Sequence, residues 1–79
     1  MKTIFVQLKC DLGQAYQVAA DLAEKEGVSE VFSVSGQYDL LAKCHLSDDK
    51  DIGHYIAESV HSIEGVKDTY TIITFNAFN

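Results

Sequence analysis

The residues of this sequence best suited to chemistry fall in two short segments, Ser35-Gly36-Gln37-Tyr38-Asp39 and Thr69-Tyr70-Thr71. Gly36 frees backbone amides at a tight turn, where a carboxylate can approach closely. Asp39 is an acid at the start of a predicted strand, a position acids usually avoid. It could hold an ammonium group through a charge-assisted hydrogen bond. Thr69 and Thr71 project to the same side of a strand and offer two hydroxyls. With Ser35, Gln37 and Tyr38 they form a candidate ligand-binding set able to read both charged ends of a small amino acid. Each residue also has a plainer reading. Asp39 can bond backbone groups beside the turn, and the threonines can be ordinary strand formers.

Other chemistry finds less support. His54 and His61 lie seven apart on one predicted helix, with Asp51 three residues before His54. A metal centre wants three or four converging ligands, so a solvated helix face is expected and no metal or other cofactor. No nucleophile elbow, phosphate-binding loop or dinucleotide glycine pattern occurs, and Gly13 and Gly53 are isolated. An enzyme built on this scaffold, such as a small monooxygenase or isomerase, would need a polar group in an enclosed cavity. His45 with Tyr70 is the best pair for that reading. Cys10 and Cys44 sit in apolar runs outside any CxxC pair and are expected as buried free thiols.

The elements that must position these residues follow from hydrophobic periodicity. Thr3 to Cys10 alternates and predicts a strand, with Ile4, Val6 and Leu8 on one side. Asp11 can cap a following helix whose stripe is Ala15, Val18, Ala19 and Leu22, ended by Gly27. Val28 to Ser35 and Tyr38 to Leu46 predict two antiparallel strands joined by a two-residue type II′ turn with Gly36 first. Ser47-Asp48-Asp49 opens a second helix, with Ile52, Tyr55, Ile56, Val60 and Ile63 inward and Gly65 at its end. Val66 to Phe78 predicts a long last strand rich in Thr, Ile, Tyr and Phe. Glu26-Gly27-Val28 recurs as Glu64-Gly65-Val66, an offset of 38 residues (27 to 65) shared by Asp11 and Asp49 and by Leu8 and Leu46. Two such halves predict an α+β, ferredoxin-like βαββαβ sandwich: a four-stranded antiparallel sheet with two helices on one face.

Length and charge bound the rest. The chain has 79 residues, read as one domain over 1–79. A core of this size alone supplies roughly 3–5 kcal/mol, which favours oligomers. Net charge is −6, the six basic residues are all lysines and thinly spread, and there is no arginine. Direct nucleic-acid binding is therefore not expected. Neither a signal peptide nor a membrane-length apolar run is visible, so a cytoplasmic location with no membrane partner is expected. Two helices cover one sheet face. The other carries Phe5 and Leu41, with either Tyr70 and Ile72 or Thr71, Ile73 and Phe75 from the last strand. That apolar face predicts packing against another subunit.

The segment Val34-Ser35-Gly36-Gln37-Tyr38-Asp39-Leu40 resembles the G-x-Y-D hairpin of the Lrp/AsnC effector-binding domain. Ile63-Glu64-Gly65-Val66-Lys67-Asp68-Thr69-Tyr70-Thr71 resembles that family's p-G-V-x-x-T-x-T run into the last strand. The resemblance spans nearly the whole chain in the same element order. It departs at Ile63-Glu64, where many members carry a proline, which affects the turn more than the site. The chain starts directly at the first strand, so the family's amino-terminal helix-turn-helix is expected to be absent. The resemblance implies a regulatory module that binds an amino acid or related small effector, and no enzyme. It also implies homodimers assembled into an octameric or decameric ring, a pocket shared between subunits, and full-length Lrp/AsnC regulators as possible partners. A pure interaction module that has lost the ligand stays open beside it.

Overall fold

The computed structural model describes residues 1–78. Strand β1 (Lys2–Cys10) is followed by helix α1 (Ala15–Ala23), strands β2 (Val28–Ser33) and β3 (Leu40–Leu46), helix α2 (Ile52–Tyr55) and strand β4 (Val66–Ile73). A π-helical turn, Ile56–Val60, extends α2 and is closed by His61 N–H donating to the Ile56 carbonyl at 2.9 Å. The sheet is antiparallel in the order β2-β3-β1-β4. This is the ferredoxin-like βαββαβ sandwich that the repeat predicts.

Alternation decides which side of each strand is buried. Ile4, Val6 and Leu8 on β1 pair with Cys44, Ala42 and Leu40 on β3, and all six are buried. Val18 and Leu22 of α1, with Tyr55, Ile56, Val60 and Ile63 of the second helical segment, close this core. Burial of that apolar surface is the main favourable term in folding. The Tyr55 hydroxyl donates to the Glu26 carbonyl at 2.7 Å, tying α2 to the turn before β2. Burial, and then the nearby Cys44 thiol, pushes the Tyr55 phenol well above its ordinary range, so it stays a neutral donor.

Gly27 and Gly65, equivalent in the repeat, both take positive φ, +93° and +99°. Each turns back against the other half of the chain. A Cβ on Gly27 would meet Leu46 and Tyr55, and one on Gly65 would meet Val18 and Gln14. The strand pairings cross in the same way. β1 pairs with β3 and β4, and β2 with β3, so every ladder joins the first half to the second.

Four local expectations are corrected. Asp11 does not cap α1: Gln14 holds the cap position without a side-chain bond, and Asp11 contributes its carbonyl to the Gln14 N–H at 3.0 Å. The α2 cap is Asp51, whose carboxylate accepts the His54 N–H at 3.0 Å, while Ser47 donates to Asp49 outside the helix. The β2–β3 connection is longer than a two-residue turn. Val34 N–H donates to the Asp39 carbonyl at 3.0 Å, leaving Ser35 to Tyr38 as the loop. β4 leaves the ladder after Ile73, which faces Ile4, although β1 itself runs on to Lys2; beyond it the Thr74 side chain, not its backbone, bonds β1, donating to the Thr3 carbonyl at 2.6 Å.

The register settles the second sheet face. Phe5 lies between Lys43 and Ile72, Gln7 between Leu41 and Tyr70, and Phe32 opposite Leu41. Tyr70 and Ile72, not Thr71 and Ile73, therefore share the face with Phe5. Phe32 is 48% exposed, Tyr70 57% and Ile72 41%. No helix is long and apolar enough to cross a membrane among the described residues.

Candidate ligand-binding site

The β2–β3 loop is anchored at one end and open at the other. Asp39 N–H donates to the Leu8 carbonyl at 2.8 Å, and the Asp39 carboxylate accepts the Cys10 N–H through Oδ2 at 2.8 Å. Asp39 thus bonds backbone, the plainer of its two readings, while its second oxygen has no partner within the chain among the described contacts. Beyond it, Ser35, Gly36 and Gln37 are exposed. Gly36 has φ +105° with no atom within 4 Å of where a Cβ would stand, so its backbone is open to close approach. Tyr38 folds back over the sheet, its ring 6.3 Å from that of Tyr70.

Thr69 and Thr71 do share one side of β4, as their spacing predicts. Their cross-strand partners are Leu8 and Val6, so that side is the helix side. The Thr69 hydroxyl meets His61 Nε2 at 2.9 Å, a contact that pins the end of the π turn to β4 and that helix spacing alone did not suggest. β1 separates the loop from the threonines. Two strand spacings amount to roughly 10 Å, and the groove that Thr69 lines is distinct from the one that Asp39 lines. The rings of Tyr38 and Tyr70 bring the two motifs together.

Asp39 instead lines a groove of about 400 Å³ at the foot of the sheet with Lys9, Cys10, Asp11 and Lys67. A β-bulge shapes this end: Lys9 pairs with Asp68 but Cys10 with Val66, leaving Lys67 as the extra residue. Such a bulge re-aims one side chain. Here it lets Val66 pack on the core while Lys67 swings to the groove. The Cys10 thiol is pushed up first by burial and then by the Asp39 and Asp11 carboxylates. Burial also raises Cys44. Both cysteines are free and buried, as expected.

The remaining candidates do not converge. His45 pairs with Thr3, whose hydroxyl lies 3.1 Å from its Nδ1, and Tyr70 pairs with Gln7. Thr3 and Gln7 are four positions apart along β1, roughly 13 Å of strand. Asp51 is engaged at the helix cap with the His54 amide, and His61 with Thr69. Among the described residues no three metal-ligating side chains gather.

Known proteins share this framework over most of the chain. The model of the Lrp/AsnC ligand binding domain matches residues 3–79. An uncharacterised HTH-type transcriptional regulator of Pyrococcus abyssi is 35% identical over 60 residues, 76% of this chain and 40% of the regulator. A homocitrate synthase of Sulfolobus acidocaldarius is 36% identical over 67 residues, 84% of this chain but 14% of the synthase. The chain thus spans less than half the length of these relatives. The crystal structure of TTHA0845 from Thermus thermophilus superposes with a TM-score of 0.92 at 33% identity, over 100% of this chain and 99% of that one. A Neisseria meningitidis transcriptional regulator, solved as a complex with L-Met, shares the fold with a TM-score of 0.86 at 19% identity, over 99% of this chain and 52% of its own. The hairpin, the Gly-Val strand start, the sheet order and the span of the family match agree, and the chain belongs to the Lrp/AsnC ligand-binding domain family.

Proposed function

We propose that the protein is a regulatory module that binds an amino acid or a related small effector and does so as an assembly. The observation that carries this reading is the separation of its two motifs. The open loop Ser35–Tyr38 with Asp39 lies on one side of β1, and Thr69 and Thr71 lie on the other. A site using both needs two chains. The half-exposed Phe32, Tyr70 and Ile72 supply a surface on which a second copy would be held. The functional unit is then a homodimer joined by the helix-free face, built further into an octameric or decameric ring with the effector between dimers. The L-Met complex of the Neisseria meningitidis regulator, which has the same fold, supports an amino acid as ligand class.

An effector at such a junction favours the assembly state it binds more tightly, by its difference in affinity for the two. Its effect on transcription would be indirect, through regulators that carry the DNA-binding part. The same apolar face favours a second reading, in which the domain co-assembles with full-length relatives without any effector. Two measurements decide. Light scattering at micromolar protein should give a dimer or larger, and a stable monomer would refute the assembly. Thermal-shift and calorimetric screening of the twenty amino acids should find a binder. If none binds, and the protein captures a full-length relative without one, the second reading replaces the first.

A further inference from the structure

The groove at the foot of the sheet carries charges of both signs, of which the family motifs account for Asp39 alone. Lys9 comes from the end of β1, Asp11 from the β1–α1 turn, Asp39 from the start of β3 and Lys67 from the bulge that opens β4. All four face one concavity of about 400 Å³ around the buried Cys10. Among the described residues no ion pair joins any of them, although the chain's amino terminus does pair with Asp48. Asp39 is fixed in place by the Cys10 amide through one oxygen, which leaves the other for a cation. Asp11 and Asp39 are both close enough to raise the Cys10 thiol. The bulge costs a ladder position at the edge strand, and its result is a lysine turned into this groove.

Two cations and two anions, close together and mutually unpaired, match a ligand that carries one charge of each sign. From this we infer that the groove is the subsite for the charged ends of a free α-amino acid. Asp39, with Asp11, receives the ammonium, and Lys9 and Lys67 receive the carboxylate. The inference rests on the amino-acid reading above and extends it to Lys9, Asp11 and Lys67. It places the charge-reading contacts within one chain. The neighbouring subunit's open loop is left to close over the ligand and to select its side chain. Charge-assisted hydrogen bonds of this kind are the strong ones, whereas a ligand lacking either charge would leave the lysines or the aspartates unanswered.

The test uses the full chain and the twenty free L-amino acids as probes, followed by the amide and N-acetyl derivatives of the tightest binder. Lys9→Gln and Lys67→Gln should each weaken binding roughly tenfold or more, with Lys67→Arg restoring most of it. Asp11→Asn should weaken it less. The amide and the N-acetyl derivative should each bind wild type far more weakly than the free amino acid. Lys67 is exposed, so its variants keep the fold, which circular dichroism checks. If an amino acid binds wild type but the lysine variants bind within about twofold of it, or the amide binds as well as the acid, the groove is not the subsite and the broader reading stands. If none of the twenty binds wild type, both fall.

Discussion

Replacing Asp39 separates its structural from its binding role. Its carboxylate accepts the amide of Cys10, a residue 6% exposed, at 2.8 Å. Asp39→Ala removes that acceptor and leaves a backbone N–H at the mouth of the groove, where water can replace part of the bond. A charged acceptor lost with partial rehydration costs about 1–2 kcal/mol. For a chain of this size that lowers Tm by about 5–15 °C. Asp39→Asn keeps an oxygen facing the amide and loses only the charge, so it costs about half as much. Ligand binding should respond differently, because both variants remove the negative charge offered to an ammonium group. Alanine and asparagine should then be alike in weakened amino-acid binding and unlike in stability. Thermal melts by circular dichroism, at one protein concentration because assembly makes Tm concentration-dependent, give the first comparison, and calorimetry the second. Equal stability of wild type and Asp39→Ala would refute the anchoring role. An asparagine variant that binds the amino acid as tightly as wild type would refute the ammonium role.

Other outcomes follow from the same geometry. Gly65→Ala forces a Cβ to within 3.0 Å of Val18 Cγ2 and 3.1 Å of Gln14 Cβ at φ +99°. Strain and overpacking together should cost about 2–4 kcal/mol, visible as a lower urea midpoint; an unchanged midpoint would contradict the packing described. The Asp51 carboxylate is held below its ordinary pKa, chiefly by the His54 amide and then by the His54 charge. Its contribution is therefore present above the unfolded-state pKa and lost as pH falls through the depressed folded value. Wild type and Asp51→Asn should differ in Tm at pH 7 and converge toward pH 3, whereas parallel curves would sink that assignment. Cys10 and Cys44 are buried with raised thiols, so neither should react with a disulfide reagent at pH 8 until the protein is unfolded. Ile72→Lys places a charge beside Phe5 on the helix-free face, and light scattering should show a smaller species than wild type.

The framework was readable because the buried rows are strictly alternating: Ile4, Val6 and Leu8 against Leu40, Ala42 and Cys44 admit only one inward side. Gly27 and Gly65 marked the two returns correctly because both positions need a positive φ. Helix starts were less legible. Asp11, Asp48, Asp49 and Asp51 all suit a cap, and tertiary placement of the first turn decides among them. The facing of β4 was ambiguous because it is apolar on both sides, and only its register against β1 resolves it. Of the candidate site, the loop and the two threonines were visible as motifs. Their separation by β1 was not, since it depends on strand order. Lys67 gave no signal, because a bulge is a mismatch between two strands and neither strand shows it alone. His61 reads from sequence as one more polar residue on a helix face, and its contact with Thr69 exists only once the π turn brings it to β4.

The crossing of every ladder between the two halves has a consequence for how the chain becomes a protein. Neither β1 with β2 nor β3 with β4 forms a pair, so a half made alone has strands with nothing to zip against. Ile4 must wait for Cys44 and Ile73, and closing loops of that length slows folding relative to local contacts. During synthesis β1 emerges first and its second neighbour last. Until β4 leaves the ribosome, β1 keeps an open edge beside Ile4, Val6 and Leu8, the part of the sequence most in need of protection from other chains. Fragments cut in the open Ser35–Tyr38 loop should for the same reason be unstructured apart and fold when mixed.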